Sequence, residues 1–153
     1  MTAEAPIAPA LAYGRLIPVT VHFDDLDALG LLHNARYPVL VERAWTALWH
    51  ERGFGGFEGD WEAAGDFCNA VKELRVSYEV PVNRPGAYAV HLWLERLGTT
   101  GLTYGFRFCS DDGAVTYAHG TRVLVRLDAG TLRPTPWSDR FKAVGRELLR
   151  SAG

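Results

Sequence analysis

The sequence predicts an α+β fold: one curved antiparallel β-sheet wrapped around a long central α-helix, with a short C-terminal helix. Two patterns lead there. Between residues 34 and 52 apolar side chains recur at helical spacing and spread almost all round, as in a helix buried on most sides. From Leu74 to Leu127 four segments alternate apolar and polar residues, and strands joined by tight hairpins pair antiparallel. Such a sheet must bury one face, and the apolar helix supplies the cover. The length, 153 residues, suits one domain. At that size roughly 68–70% of the unfolded surface is buried without staples.

Residues 1–14, rich in Ala and Pro, read as a flexible arm ahead of a single domain over 15–153. Ile17, Val19, Val21 and Phe23 then share one strand face, with Thr20 and His22 on the other. Pro18 withholds a backbone donor, which suits an edge strand or a bulge. The stretch Asp24 to Gly30 breaks the alternation and reads as a loop. Asn34 offers an N-cap, Pro38 fits the first turn, and Gly53 is a stop at C′. Tyr37, Val41, Ala44, Trp45 and Leu48 form the main apolar stripe, leaving a narrow polar strip of Arg36, Glu42, Arg43, Thr46 and His50. After a Gly- and aromatic-rich loop from Phe54 to Asp66, Leu74, Val76, Tyr78 and Val80 line one strand face. Tyr88 to Leu94 and Leu102 to Phe108 follow, and Val115 to Leu127 form one long strand. Asp111-Asp112-Gly113 supplies a hairpin turn. Ser138 to Arg150 reads as a short amphipathic helix packed through Phe141, Val144 and Leu148.

Composition narrows the function. The chain is 48% hydrophobic and 22% charged with a formal net charge of −2, which excludes a disordered chain and lacks the basic footprint of a nucleic-acid binder. Cys68 and Cys109 form no CxxC pair and read as small buried thiols in a reducing compartment. No run approaches the ~18 apolar residues of a membrane span, and residues 1–10 lack the features of a secretory leader. No membrane partner is expected, and the expected location is cytoplasmic.

Asp24, Asp25 and Asp27 are the densest chemical feature. Asp25-x-Asp27-x-x-Gly30 begins like a calcium loop, but position five would be Leu29 and position twelve Arg36, so no metal is expected. A solvated turn is the bland alternative. The functional one is that the carboxylates stand just before a buried helix. Backbone N–H groups at a helix start can hold a developing oxyanion, and a carboxylate beside them completes the pair that acyl transfer requires.

The run Phe23-Asp-Asp-Leu-Asp27-Ala-Leu-Gly30-Leu-Leu-His-Asn34-Ala-Arg-Tyr37, followed by Val76-Ser77-Tyr78-Glu79-Val80-Pro81, resembles the hotdog-fold acyl-CoA thioesterases of the 4-hydroxybenzoyl-CoA thioesterase branch. The resemblance spans Val19 to Leu127. It implies that Asp27 is the catalytic carboxylate and that the backbone N–H of Asn34 is the main oxyanion donor. It further implies that Gly30 permits close approach of the thioester. His33 and Tyr37 are candidate substrate contacts beside it, with a core position the alternative for Tyr37 and the role of His33 open. The resemblance implies no cofactor or metal, and an active site at subunit interfaces of a homodimer or homotetramer. Leu31 stands where many relatives carry His, which leaves the acyl preference open.

The implied reaction is hydrolysis of an acyl thioester, carried on coenzyme A or an acyl carrier protein, to free acid and thiol. A thiol of pKa about 8.5 leaves readily as thiolate, so carbonyl polarisation and an activated water matter more than a strong acid. Asp27 could serve as general base or as a nucleophile forming an anhydride. Two alternatives share the fold. A hotdog enoyl-thioester hydratase or dehydratase would pair Asp with His across four residues, whereas five lie between Asp27 and His33. A non-catalytic acyl-thioester binding protein would bind without turnover. Glu42 reads as an ion-pair partner of an Arg, and His22, His91 and His119 as structural. Arg84, Arg122, Arg126 and Arg133 are the candidates for the phosphates of coenzyme A. Phe57 and Trp61 are candidate acyl-pocket residues.

Overall fold

The computed structural model describes residues 11–54 and 65–150. The elements run β1 (Arg15–Val21), α1 (Arg36–Glu51), β2 (Asn69–Tyr78), β3 (Gly86–Leu97), β4 (Gly101–Ser110), β5 (Thr116–Arg126) and α2 (Asp139–Leu148). The five strands form one sheet in the order β1-β3-β4-β5-β2, all neighbours antiparallel. This is the α+β architecture the patterning predicts, and β1, with Pro18, is indeed an edge.

The concave face of the sheet meets α1. Leu48, Trp49 and Val41 are wholly buried against Leu92, Leu94, Phe106 and Phe108. Trp45 stacks on Tyr104 at 4.0 Å, and Trp49 stacks on Phe141 of α2 at the same separation. The helix ends in a Schellman motif: Phe54 N–H donates to Trp49 O, Gly53 N–H donates to His50 O, and Gly53 sits at φ +86°. Phe54 also packs edge-on against Trp49, the apolar contact that accompanies this cap. At the far end of the chain, Ser138 caps α2 by accepting the Phe141 N–H and is held in turn by both oxygens of buried Asp66.

Four expectations are corrected. Phe23 does not continue the β1 face, because the chain turns into a single 3-10 turn over Phe23–Asp25 and leaves Phe23 83% exposed. The N-cap of α1 is Ala35 and not Asn34, whose carbonyl is taken by the Tyr78 hydroxyl at 3.1 Å. The helix is buried on one side: Val39 and Ala47 join the polar strip at the surface. Val115 precedes β5 and is exposed.

Residues 1–10 of the expected arm lie outside the described residues. Residues 11–14 cross the convex face of the sheet. There the Tyr13 ring packs on His91 and Trp93, its carbonyl meets His91 Nε2 at 2.8 Å, and the Arg150 guanidinium covers it. Cys68 and Cys109 are both buried free thiols.

Candidate active site

The loop between β1 and α1 is built by its carboxylates. Buried Asp25 accepts the His22 N–H at 2.8 Å through one oxygen and faces Arg36 at 3.8 Å through the other. That use is structural: it closes the turn leaving β1. Beyond it, Leu26 and Leu32 bridge, and Asp27 N–H donates to Leu31 O. The result is a small two-stranded lobe turning at Gly30, where φ is +76°. A side chain there would be strained in backbone, not in space.

Half-buried Asp27 faces this turn with one oxygen. Its Oδ1 accepts from Leu29 N–H at 2.8 Å and Leu31 N–H at 3.2 Å. Two backbone donors therefore fix the carboxylate plane, while Oδ2 takes no hydrogen bond among the described residues. The Asn34 N–H is likewise uncommitted among the described residues, since the neighbouring amides are spoken for: His33 N–H donates to Asp25 O and Ala35 N–H to His33 Nδ1.

Asp27, Asn34 and Tyr37 line one cleft of about 270 Å³, closed on the other side by Tyr78, Glu79 and Pro81 at the end of β2. Tyr37 is 4% exposed and edge-on to both Tyr78 and Phe108. Burial raises its phenol pKa, with the Val82 backbone working the other way. The Leu32 N–H to Val82 O bond, 2.8 Å, ties the lobe to the chain leaving β2. A larger hollow of about 400 Å³ lies at the β3–β4 turn, but its lining holds no carboxylate, histidine or thiol. Chemistry selects the smaller cleft.

Three of the five sequence-derived site residues, Asp27, Asn34 and Tyr37, thus come together. Gly30 shapes the turn without lining the cleft, and His33 is exposed with Nδ1 occupied by the Ala35 amide. Tyr78 and Glu79 join the cleft from a distant strand, and the Tyr-x-x-Pro spacing is the sequence signal that points to them. Glu79 pairs with His119 at 3.0 Å on the rim. Glu42 faces Arg122 at 3.7 Å, the ion pair expected of it. Phe57 and Trp61 lie outside the described residues. Among those residues no three His, Cys, Asp or Glu side chains gather as metal ligands. No described helix is long and apolar enough to cross a membrane.

Known proteins share this architecture. The profile of the thioesterase-like superfamily matches residues 21–145. A Bacillus subtilis (strain 168) protein, YneP, named as a candidate acyl-CoA thioesterase, is 24% identical over 123 residues, covering 80% of this chain and 86% of its own. The PA5185 protein of Pseudomonas aeruginosa PAO1 superposes with TM-score 0.80 at 22% identity, covering 92% of this chain and 95% of that one. A Thermus thermophilus thioesterase, solved with coenzyme A and Zn, superposes with TM-score 0.68 at 24% identity, over 87% of this chain and 92% of that one. The family match covers the lobe that carries Asp27, the central helix and the whole hairpin series. The chain belongs to the thioesterase-like superfamily and is a thioester hydrolase of the hotdog fold.

Proposed function

We propose that the cleft hydrolyses an acyl thioester of coenzyme A, with Asp27 as general base and the Asn34 N–H as oxyanion donor. One observation carries the reading. The uncommitted oxygen of Asp27 and the uncommitted amide of Asn34 belong to residues lining the same cleft. A water held by Asp27 Oδ2 attacks the carbonyl, the carbonyl oxygen gathers charge against the amide, and the thiolate departs. The two amides on Oδ1 keep the carboxylate aimed while it takes the proton.

The hydratase alternative is weakened by His33, whose Nδ1 is engaged by the Ala35 amide. The carrier-protein thioester remains a second form of the same substrate. The buried free thiols fit a cytoplasmic setting. A homodimer, or a tetramer built from it, fits the exposed apolar residues Val71, Leu74, Tyr78 and Val80 on and beyond edge strand β2, which a second copy would cover. The test is thiol release from aromatic, short and long acyl-CoAs: wild-type turnover is expected on at least one class. Binding without release throughout would point to the non-catalytic alternative.

A further inference from the structure

We propose that Arg122 sets the acyl preference of the enzyme by binding a carboxylate at the far end of the acyl group. The inference rests on the thioester reading above and names the class of acyl group which that reading leaves open. On the concave face of the sheet, Tyr78, Val76 and Leu74 of β2 pair with Ala118, Gly120 and Arg122 of β5. Arg122 is thus the first long side chain that β5 presents along this strip beyond the cleft. α1 keeps step alongside. Tyr37 packs on Tyr78 at the cleft, and Trp45 stacks on Tyr104, the β4 partner of Arg122. Eight residues of helix rise about 12 Å, and four of strand about 13 Å. The helix leaves the β2 side of the strip open, with Leu74 and Tyr78 both exposed. An acyl group whose carbonyl lies between Asp27 and Asn34 can therefore run along an apolar strip and end at a cation.

That cation is short of partners. The Arg122 side chain is 10% exposed, and a guanidinium carries five N–H donors. Among the described residues its one hydrogen bond goes to the Tyr104 hydroxyl at 3.3 Å, and its shielded Nε–H meets no acceptor. Burial pushes the Tyr104 phenol up to about 12, against the pull of Arg122, so the phenol stays neutral and brings no counter-charge. Glu42 is the counter-charge, but it stands 3.7 Å away with its side chain 61% exposed, where solvent screens the pair. Arg126 shows the contrast. Its Nε is also buried without an acceptor, yet Asp66 and the Pro136 carbonyl hold the rest of its guanidinium. A buried cation with so few acceptors gains from a carboxylate that brings two oxygens to its fork. An alkyl end would leave the same donors unpaired, and a site of that kind rejects the analogue lacking the polar group. Glu42, being exposed, can give way to the substrate at little cost.

The experiment measures thiol release by the full chain from ω-carboxyacyl-CoAs of increasing length, each beside the alkanoyl-CoA of equal length. The readout is the ratio of the two kcat/KM values within a pair. In the wild type that ratio is expected to favour the carboxyacyl ester about tenfold or more at one chain length, and Arg122→Gln to remove the preference. Glu42→Gln, at an exposed position, takes away the competing carboxylate and is expected to raise the ratio about twofold. The inference is overturned if the wild type shows no carboxyacyl preference at any length, or if Arg122→Gln lowers both esters in proportion, as a merely structural role would. A ratio that falls in Glu42→Gln overturns it as well. Should Arg122→Gln fail to fold, the wild-type series and Glu42→Gln decide. Failure of the thioester reading looks different: the wild-type chain would release no thiol from any ester of either series.

Discussion

Asp25 and Asp27 stand two residues apart and are committed differently, one to the turn and the other to the cleft. Asp27→Asn keeps the acceptor for Leu29 and Leu31 but removes the proposed base, so the fold should survive and kcat should fall about 10²–10⁴-fold. Unchanged thiol release would refute the assignment. Asn34→Ala retains the amide and should leave kcat within a few-fold; a large loss would assign the oxyanion contact to the side chain instead. His91 gives a prediction of a different kind. Arg107 Nε–H donates to its Nδ1 at 3.0 Å while Nε2 faces the Tyr13 carbonyl, an arrangement met by the neutral ring with its proton on Nε2. Burial lowers its pKa below 6.5, opposed by the Tyr13 carbonyl and reinforced by Arg107 and Arg150. Below about pH 6.5 the unfolded chain therefore binds a proton that the folded chain refuses, and stability falls until the folded pKa is passed. Above that window the group contributes no slope. Urea midpoints between about pH 7 and 5 should decline less steeply in His91→Gln than in wild type.

At the scale of elements, legibility followed locality. The end of α1 could be read because Gly53 satisfies a left-handed position that three consecutive residues define. Its start could not, because a hydroxyl from Tyr78, 44 residues away, takes the Asn34 carbonyl. The edge position of β1 was written in Pro18, whereas alternation in β2 could not say whether its apolar side faced the chain's own helix. It stays largely exposed. Gly120 was likewise silent in the sequence. A Cβ there would stand 1.8 Å from the Arg75 carbonyl oxygen of β2 and 2.8 Å from the Phe106 ring. Gly120→Ala must push β2 away from β5, displacing Tyr78 and Glu79 with it. A thermal melt should show a loss of about 1–3 kcal/mol, with activity falling further than stability accounts for.

For the whole molecule, the apolar alternation of β2 becomes a statement about assembly. Leu74→Lys should reduce the particle mass measured by light scattering and reduce turnover with it. A wild-type chain that is already monomeric and fully active would remove β2 as an interface. The fold class was legible because one buried helix and a run of hairpins admit few arrangements. The turn at Gly30 and the presence of Asp27 and Asn34 in one cleft were legible through their spacing. What lay beyond sequence was the pairing of distant segments, such as Leu32 with Val82 and Tyr13 with His91.

The strand order has a consequence for how the site comes into being. β3, β4 and β5 are joined by short turns and pair with their sequence neighbours, while β1 and β2 must return across long stretches of chain to the opposite edges. Loop-closure entropy makes the three hairpin strands the cheap nucleus and the two edges the late additions. Asp27 follows one edge strand and Tyr78 ends the other, so the cleft exists only once both have docked. Native-state hydrogen exchange should show the β3–β5 amides outlasting those of residues 26–34, and catalytic competence should be the last property gained on refolding.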